Sequence, residues 1–305
     1  MTFLTIIIPT YNRVSLLTRT LRSVLAQKSA DCEIIVIDDG STDETEETVR
    51  RFSGVRFERQ SRQGPGAARN LGWSLAVGEY IAFLDSDDVW FPWTLETFRT
   101  CIDKYHYPKF VIGTYFPFHE DAELTAVERA PLTARAYRDY LASADDVVCM
   151  GSGGMLLRQD CQPRFEARHM NAEDIDLSLH LGVEEGFVVI RQPFTFAYRH
   201  YRHHGCNAVA DFDSTYHGIL HLIHEEKSNQ FPGGPARQRE RLKLITRSTR
   251  PPALQALRCN RSFSGFEIYC QTFAWNAALG RWKFLLGFLL VAIVSLPKLL
   301  LHRPK

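Results

Sequence analysis

Three apolar runs near the start of the chain each end in a cluster of short polar or acidic side chains. This repetition constrains the fold more than any other feature. Leu4–Pro9 leads into Thr10-Tyr-Asn12, Glu33–Asp38 into Asp38-Asp-Gly-Ser-Thr-Asp43, and Tyr80–Leu84 into Asp85-Ser-Asp-Asp88. Between the runs lie stretches of helical spacing: Val14–Gln27 with Leu17, Leu21, Val24 and Leu25 on one face, then Thr45–Phe52 and Gly66–Ala76, with a further strand at Val55–Arg59. Such alternation predicts right-handed β-α-β units, an α/β class with a mostly parallel, Rossmann-like sheet flanked by helices. Ligands of that architecture collect at the carboxyl ends of the strands, where the polar clusters fall. From Pro108 to Tyr201 the rhythm is mixed, with strands expected at Phe110–Thr114, Gly153–Leu157, Phe187–Ile190 and Phe196–Tyr198 and a helix from near Asn171. Beyond Asp211 the chain reads as helical, and Pro232-Gly-Gly-Pro235 reads as the linker between the catalytic body and the C-terminal helical, membrane-facing region.

Composition removes several function classes. Thirty-six Lys and Arg against 35 Asp and Glu leave a net charge of +1, so no bulk field draws a nucleic acid, and none is expected as a partner. Seven scattered cysteines, odd in number and without a C-x-x-C pair, fit neither a disulfide framework nor a structural zinc site, and point to a reducing compartment. The N-terminal run lacks a basic region before it and is too short for a signal-peptide core, so export is not expected. Near the other end, Phe284–Leu296 carries no charge and is flanked by Arg281 and Lys283 before it and Lys298, Arg303 and Lys305 after it. A bilayer core needs roughly 20 helical residues, so this shorter run suits an interfacial or re-entrant anchor, with a true span and a buried domain helix as alternatives. Basic flanks match anionic head groups on the cytoplasmic face. The expected organisation is a catalytic body over 1–210, a helical extension over 211–280 and a membrane-associating tail over 281–305, a soluble cytoplasmic protein being the alternative.

The clusters allow specific chemistry, each beside a plainer reading. A carboxylate in Asp38–Asp43 can accept from a base N–H or a ribose hydroxyl, or the segment is a turn with Ser41 or Asp43 as a helix cap. Asp85 and Asp87 offer two hard oxygen donors suited to Mg²⁺ or Mn²⁺ beside a diphosphate, or they are a solvated turn. Gln63–Gly72 opens a helix with glycines and presents Arg69 one turn inside, which suits an anionic phosphate. Its glycine spacing fails the dinucleotide fingerprint. In Asn171–Leu177 the acids complement a helix dipole, or one of them removes a proton from a hydroxyl. Tyr198–Asn207 is dense in cations and imidazoles, either a basic loop or a site for a metal or a leaving phosphate.

Taken in order, Ile6-Ile-Ile-Pro-Thr-Tyr-Asn-Arg13, Ile34–Asp43, Gly64-Pro-Gly-Ala-Ala-Arg-Asn70, Tyr80–Asp88, Glu173-Asp174 and Tyr201-Arg-His-His204 resemble the family 2 glycosyltransferases of GT-A fold, over about the first two thirds of the chain. The resemblance implies an inverting transferase moving a sugar from a nucleoside-diphosphate sugar, most simply a UDP-sugar, to a glycan or lipid-linked hydroxyl in surface polysaccharide synthesis. It implies that Pro9, Thr10, Asn12 and Asp39 line the nucleotide pocket and that Arg69, Asp85, Ser86, Glu173 and Arg202 bind the nucleotide-sugar. It also makes Asp87, Asp85 and His204 ligands of a divalent cation, Mn²⁺ or Mg²⁺, and Asp174 the catalytic base. Ile175 departs from the aromatic residue that members often carry after the Glu-Asp pair, which loosens any inference about the acceptor. A catalytically silent sugar-nucleotide or partner-binding module, and a nucleotide-sugar hydrolase or nucleotidyltransferase, are the alternatives.

Overall fold

The computed structural model describes residues 2–27, 29–146, 148, 151–166, 171–199 and 207–301, with backbone alone at 152, 207–211 and 295–301. The chain forms two compact units, one of Met1–Ser143, Val147–His169 and Asp174–Arg202, the other of Ala144–Asp146, Met170–Glu173 and His203–Lys305.

The first unit alternates strand and helix as the apolar periodicity demands. In order it contains β1 (Leu4–Thr10), α1 (Val14–Leu25), β2 (Cys32–Asp38), α2 (Thr45–Arg50), β3 (Arg56–Arg59), α3 (Pro65–Leu75), β4 (Tyr80–Phe83), β5 (Val89–Trp90), α4 (Thr94–Lys104), β6 (Phe110–Phe118), β7 (Thr133–Tyr137), β8 (Met155–Arg158), α5 (from Glu173 to His180) and β9 (Phe187–Arg199). Every residue of β1 is buried, and so is nearly all of β2, which is why these strands read as continuous apolar runs rather than as alternating ones. Each fully buried Leu, Ile or Val side chain contributes about 1.5–3 kcal/mol of transfer free energy. α1 lays Leu17, Leu21 and Val24 against this layer. On α3, Gly72 lets the helix close on β1, since a Cβ there would come within 2.4 Å of Ile7 Cγ2.

The sheet is mixed, in the order β3-β2-β1-β4-β8-β6-β9-β5, with β7 added alongside β9. β1, β2, β3 and β4 run parallel, so the ends of β1, β2 and β4 open at one edge of the layer. β8 runs antiparallel to both β4 and β6. The two strands expected at Phe187–Ile190 and Phe196–Tyr198 are one 13-residue strand, β9. Pro193 falls where one edge of β9 passes from β7, paired over Phe187–Gln192, to β5, paired at Phe196 and Ala197, while β6 runs along the other edge with a register shift at that point.

The second unit is helical: α6 (Asn207–Lys227), α7 (Gln238–Arg258), α8 (Ser262–Ala278) and α9 (Trp282–Leu301). Pro232-Gly-Gly-Pro235 does not separate the body from the helical region as expected: it joins α6 to α7 within the second unit. Arg241, 1% exposed, clasps that linker: it donates to the Pro232 and Gly234 carbonyls, both at 2.9 Å, and meets the buried Glu226 at 2.7 Å. Every guanidinium nitrogen therefore has a partner, which a buried charge requires. Among the described residues no helix is long and apolar enough to cross a membrane.

Candidate active site

The site is assembled where β1, β2 and β4 end. Thr10 closes β1 opposite Asp38 of β2, and the next residues cross-tie the two loops. Asn12 takes a left-handed conformation, φ 49°, which its short polar side chain tolerates. Its carboxamide oxygen accepts from the Thr42 amide at 2.7 Å, and its own amide donates to Ser41 Oγ at 2.8 Å. Asp43 accepts from the Val14 amide at 3.2 Å, so the first helix is capped by the second loop rather than by its own preceding residue.

Asp38 and Asp39 divide their labour. Asp38, fully buried, accepts from the Ser41 amide at 3.1 Å and sets the turn in which Gly40 adopts φ +83°. Asp39 reaches sideways. Its carboxylate accepts from Gln60 Nε2 and from the amides of Gln63 and Gly64, all at 2.8 Å, and so fixes the loop that opens α3. Gly64 at φ 97° followed by Pro65 in the first helical turn then launches the helix that carries Arg69.

Arg69 is 3% exposed, lies over the Phe165 ring with its guanidinium carbon 5.4 Å from the centroid, and donates to Asp85 Oδ1 at 2.6 Å. Asp85 begins the acidic turn after β4. Asp87 accepts from Arg13 Nη1 at 2.9 Å, which links the β1 loop to the same turn. The turn is held from behind by Thr20 of α1, whose hydroxyl lies 3.0 Å from the Ser86 carbonyl and 2.7 Å from that of Asp88. Asp88, 1% exposed, accepts from the Arg199 amide at 3.2 Å at the end of β9. Burial pushes its carboxyl well above the ordinary carboxylate range, and the charges of Asp85 and Asp87 push the same way.

Asp174 stands in the first turn of α5, with Oδ1 accepting from the Ile175 amide at 2.8 Å. Burial raises its pKa, the Ile175 bond and the Arg69 charge pull it down, and the Asp85 charge adds to the rise. Asp174, Arg69 and Asp85 thus share one electrostatic neighbourhood. Pro9 lies inside β1, Ser86 is buried within the acidic turn, and Glu173 begins α5. Thr10 is 4% exposed and its hydroxyl has no hydrogen-bond partner among the described residues. Arg202 and His204 lie outside the described residues.

Some participants were not legible in the sequence. Arg13, Thr20, Arg199 and Phe165 act through partners far away along the chain, and no local spacing announces such pairs. Asp88 was visible as a third acid, but its burial was not.

The carboxylates of Asp85 and Asp87 supply hard oxygen donors of the kind Mg²⁺ and Mn²⁺ take. No group of three His, Cys, Asp or Glu is arranged to hold a metal ion among the described residues. A Mg²⁺ site commonly takes only one or two carboxylates from the protein and the rest from substrate phosphates and water, so this pair fits that kind of ion.

The family model described as Glycosyl transferase family 2 matches residues 5–162. With the acidic turn, the arginine and the parallel half-sheet inside that match, the chain belongs to glycosyltransferase family 2. Escherichia coli WfgD, named as a UDP-Glc:α-D-GlcNAc-diphosphoundecaprenol β-1,3-glucosyltransferase, is 40% identical over 94 residues, 30% of this chain and 37% of that protein. The chain spans between 14% and 37% of the length of the curated relatives it matches. Two solved structures share the fold. Residues 1–349 of S. aureus TarS in complex with UDP-GlcNAc align with TM-score 0.56 and 17% identity over 91% of this chain and 92% of that one. The mannosyltransferase PcManGT from Pyrobaculum calidifontis, in complex with GDP-Man and Mn²⁺, gives the same score and identity over 96% and 86%. Both neighbours bear out the GT-A expectation.

Proposed function

We propose that the protein is an inverting glycosyltransferase that moves a sugar from a nucleoside-diphosphate sugar, in the first instance a UDP-sugar, to a hydroxyl of a glycan or lipid-linked acceptor. The observation that carries this reading is the shared neighbourhood of Asp174, Arg69 and Asp85 at the edge where β1, β2 and β4 end. The orphan hydroxyl of Thr10 supports it. A buried hydroxyl without a partner costs about 1–3 kcal/mol, which a bound ligand would recover. The donor in the TarS complex and the diphosphoundecaprenol acceptor in the name of WfgD favour the same substrate classes.

In this mechanism Thr10, Asn12 and Asp39 hold the nucleotide end, with Pro9 shaping the strand beneath it. Ser86, Glu173 and Arg202 complete the sugar side. Arg69, fixed by burial, stabilises negative charge as it develops on the leaving diphosphate, a contribution concentrated in the transition state. Asp174 removes the proton of the acceptor hydroxyl on the face opposite the leaving group, so the anomeric configuration inverts. Asp85 and Asp87, with His204, would hold a divalent cation, which when bound neutralises diphosphate charge. The body is assigned to 1–210, the helical extension to 211–280, and a tail that rests on the cytoplasmic face of a membrane to 281–305.

Product analysis with UDP-, GDP- and dTDP-sugars, with and without EDTA, tests the reading. Transfer to an acceptor with inverted configuration, abolished by EDTA and restored by Mn²⁺, is expected. Free sugar as the only product would make the protein a hydrolase, and no turnover with intact binding would make it a silent module. Asp174→Asn should lower transfer by about 10²–10⁴-fold while leaving nucleotide affinity in place. Equal loss of both would remove Asp174 from its role.

A further inference from the structure

The second unit carries a cluster of cations that the transferase chemistry does not use. An open hollow of about 780 Å³ is lined by Arg247, Arg250 and Arg258 from α7 and by Lys283 at the start of α9, with Leu254 and Phe284 as apolar wall. No acid lines it. Arg247 donates to the carbonyls of Ala144 and Asp146, and Arg250 to the carbonyl of Thr246, all neutral acceptors. Arg281 is held beside them by the Thr246 hydroxyl and the Lys243 carbonyl. Among the described residues no ion pair reaches any of these five cations. Like charges gathered without a counter-charge leave a standing demand for an anion.

The hollow continues into an uncovered apolar face. On α9, Leu285, Phe288 and Ala292 are buried against the unit, while Trp282, Leu286, Leu289, Leu290, Ile293 and Val294 are 41–72% exposed. Lys283 lies three residues before Leu286 and seven before Leu290, so the cation borders the apolar stripe on the same side of the helix. α8 adds a second stripe, with Phe263, Phe266 and Phe273 exposed at helical spacing. An apolar helix face edged by cations is the arrangement of a helix lying in a membrane interface, where phosphate groups sit just above the acyl chains.

We propose that α7, α8 and α9 form a docking site for an anionic phospholipid, with the head-group phosphate in the arginine hollow and the acyl chains against the exposed faces of α8 and α9. This deepens the membrane assignment made above and is independent of the transfer chemistry. The full chain is mixed with vesicles of phosphatidylcholine alone or with one third phosphatidylglycerol, and bound protein is measured by flotation. Phosphatidylglycerol vesicles should bind it and phosphatidylcholine vesicles should bind it far more weakly. Arg258 and Lys283 are exposed, so Arg258→Glu with Lys283→Glu leaves the fold intact, as thermal melting would verify. It should weaken binding by at least about 30-fold, because each basic residue near an anionic surface contributes about five-fold. Leu286→Ser with Leu290→Ser should abolish flotation while the hollow stays charged. Equal binding to both vesicles, binding unaffected by the charge reversal, or no vesicle binding at all would overturn the proposal. Nucleotide binding by the same variants, measured without vesicles, separates that failure from a failure of the transferase reading.

Discussion

Asp39 and Asp174 illustrate how one side chain can serve both scaffold and ligand. Asp39 already accepts three hydrogen bonds from the loop that opens α3, so its contribution to nucleotide binding is inseparable from loop position. Asp39→Ala strands two backbone amides. It should lower the melting temperature as well as nucleotide affinity, at about 1–3 kcal/mol for each unsatisfied group. A variant that loses affinity at unchanged melting temperature would make Asp39 a ligand contact alone. For Asp174 the folded pKa lies above the unfolded value of about 3.9. The carboxyl therefore stabilises the fold only while protonated, fully below that value, and the contribution is lost as pH rises through the elevated one. Catalysis needs the opposite form. The acidic limb of the turnover profile should sit above the ordinary aspartate range, and Asp174→Asn should melt no lower than the parent near neutral pH while losing turnover.

At the scale of elements, the strand–helix alternation and the acidic turn after β4 were legible because both are written in local spacing. Long-range partnerships were not. The pairing of Arg13 with Asp87, the capping of α1 by Asp43 and the unbroken course of β9 through Pro193 depend on contacts between segments distant in the chain. Two adjacent prolines at 251 and 252 argue for a break, yet α7 runs through them. Its buried residues on both sides, Leu244, Ile245, Ala253, Ala256 and Leu257, supply packing that outweighs the lost backbone bonds. Packing also makes Gly72 a sharp test. Gly72→Ala would drive a methyl into Ile7 and should cost about 1–3 kcal/mol, read as a drop in denaturant midpoint at unchanged slope. No change in midpoint would mean that α3 can move away from β1 freely.

Across the whole molecule, the cysteines report which parts are closed. Among the described residues Cys32, Cys101, Cys161, Cys259 and Cys270 are free thiols. Burial pushes Cys101 up to about 12 and Cys161 up to about 11, so neither offers thiolate near neutral pH. Among the described cysteines Cys270, exposed on the same side of α8 as Phe266 and Phe273, should be alkylated first by a maleimide at pH 7, with Cys101 and Cys161 modified only after unfolding. Peptide mapping after timed labelling checks this, and early modification of Cys101 would contradict the burial.

One hydroxyl reaches both sides of the acidic turn's centre. Thr20 shares one proton between the carbonyls on either side of Asp87, so α1 braces the backbone of the turn while Arg13 and Arg69 hold its acids. Thr20→Val preserves shape and deletes that latch. A genetic screen for lost activity should therefore recover substitutions at position 20 in soluble, folded protein, and their defect should appear in turnover more than in expression.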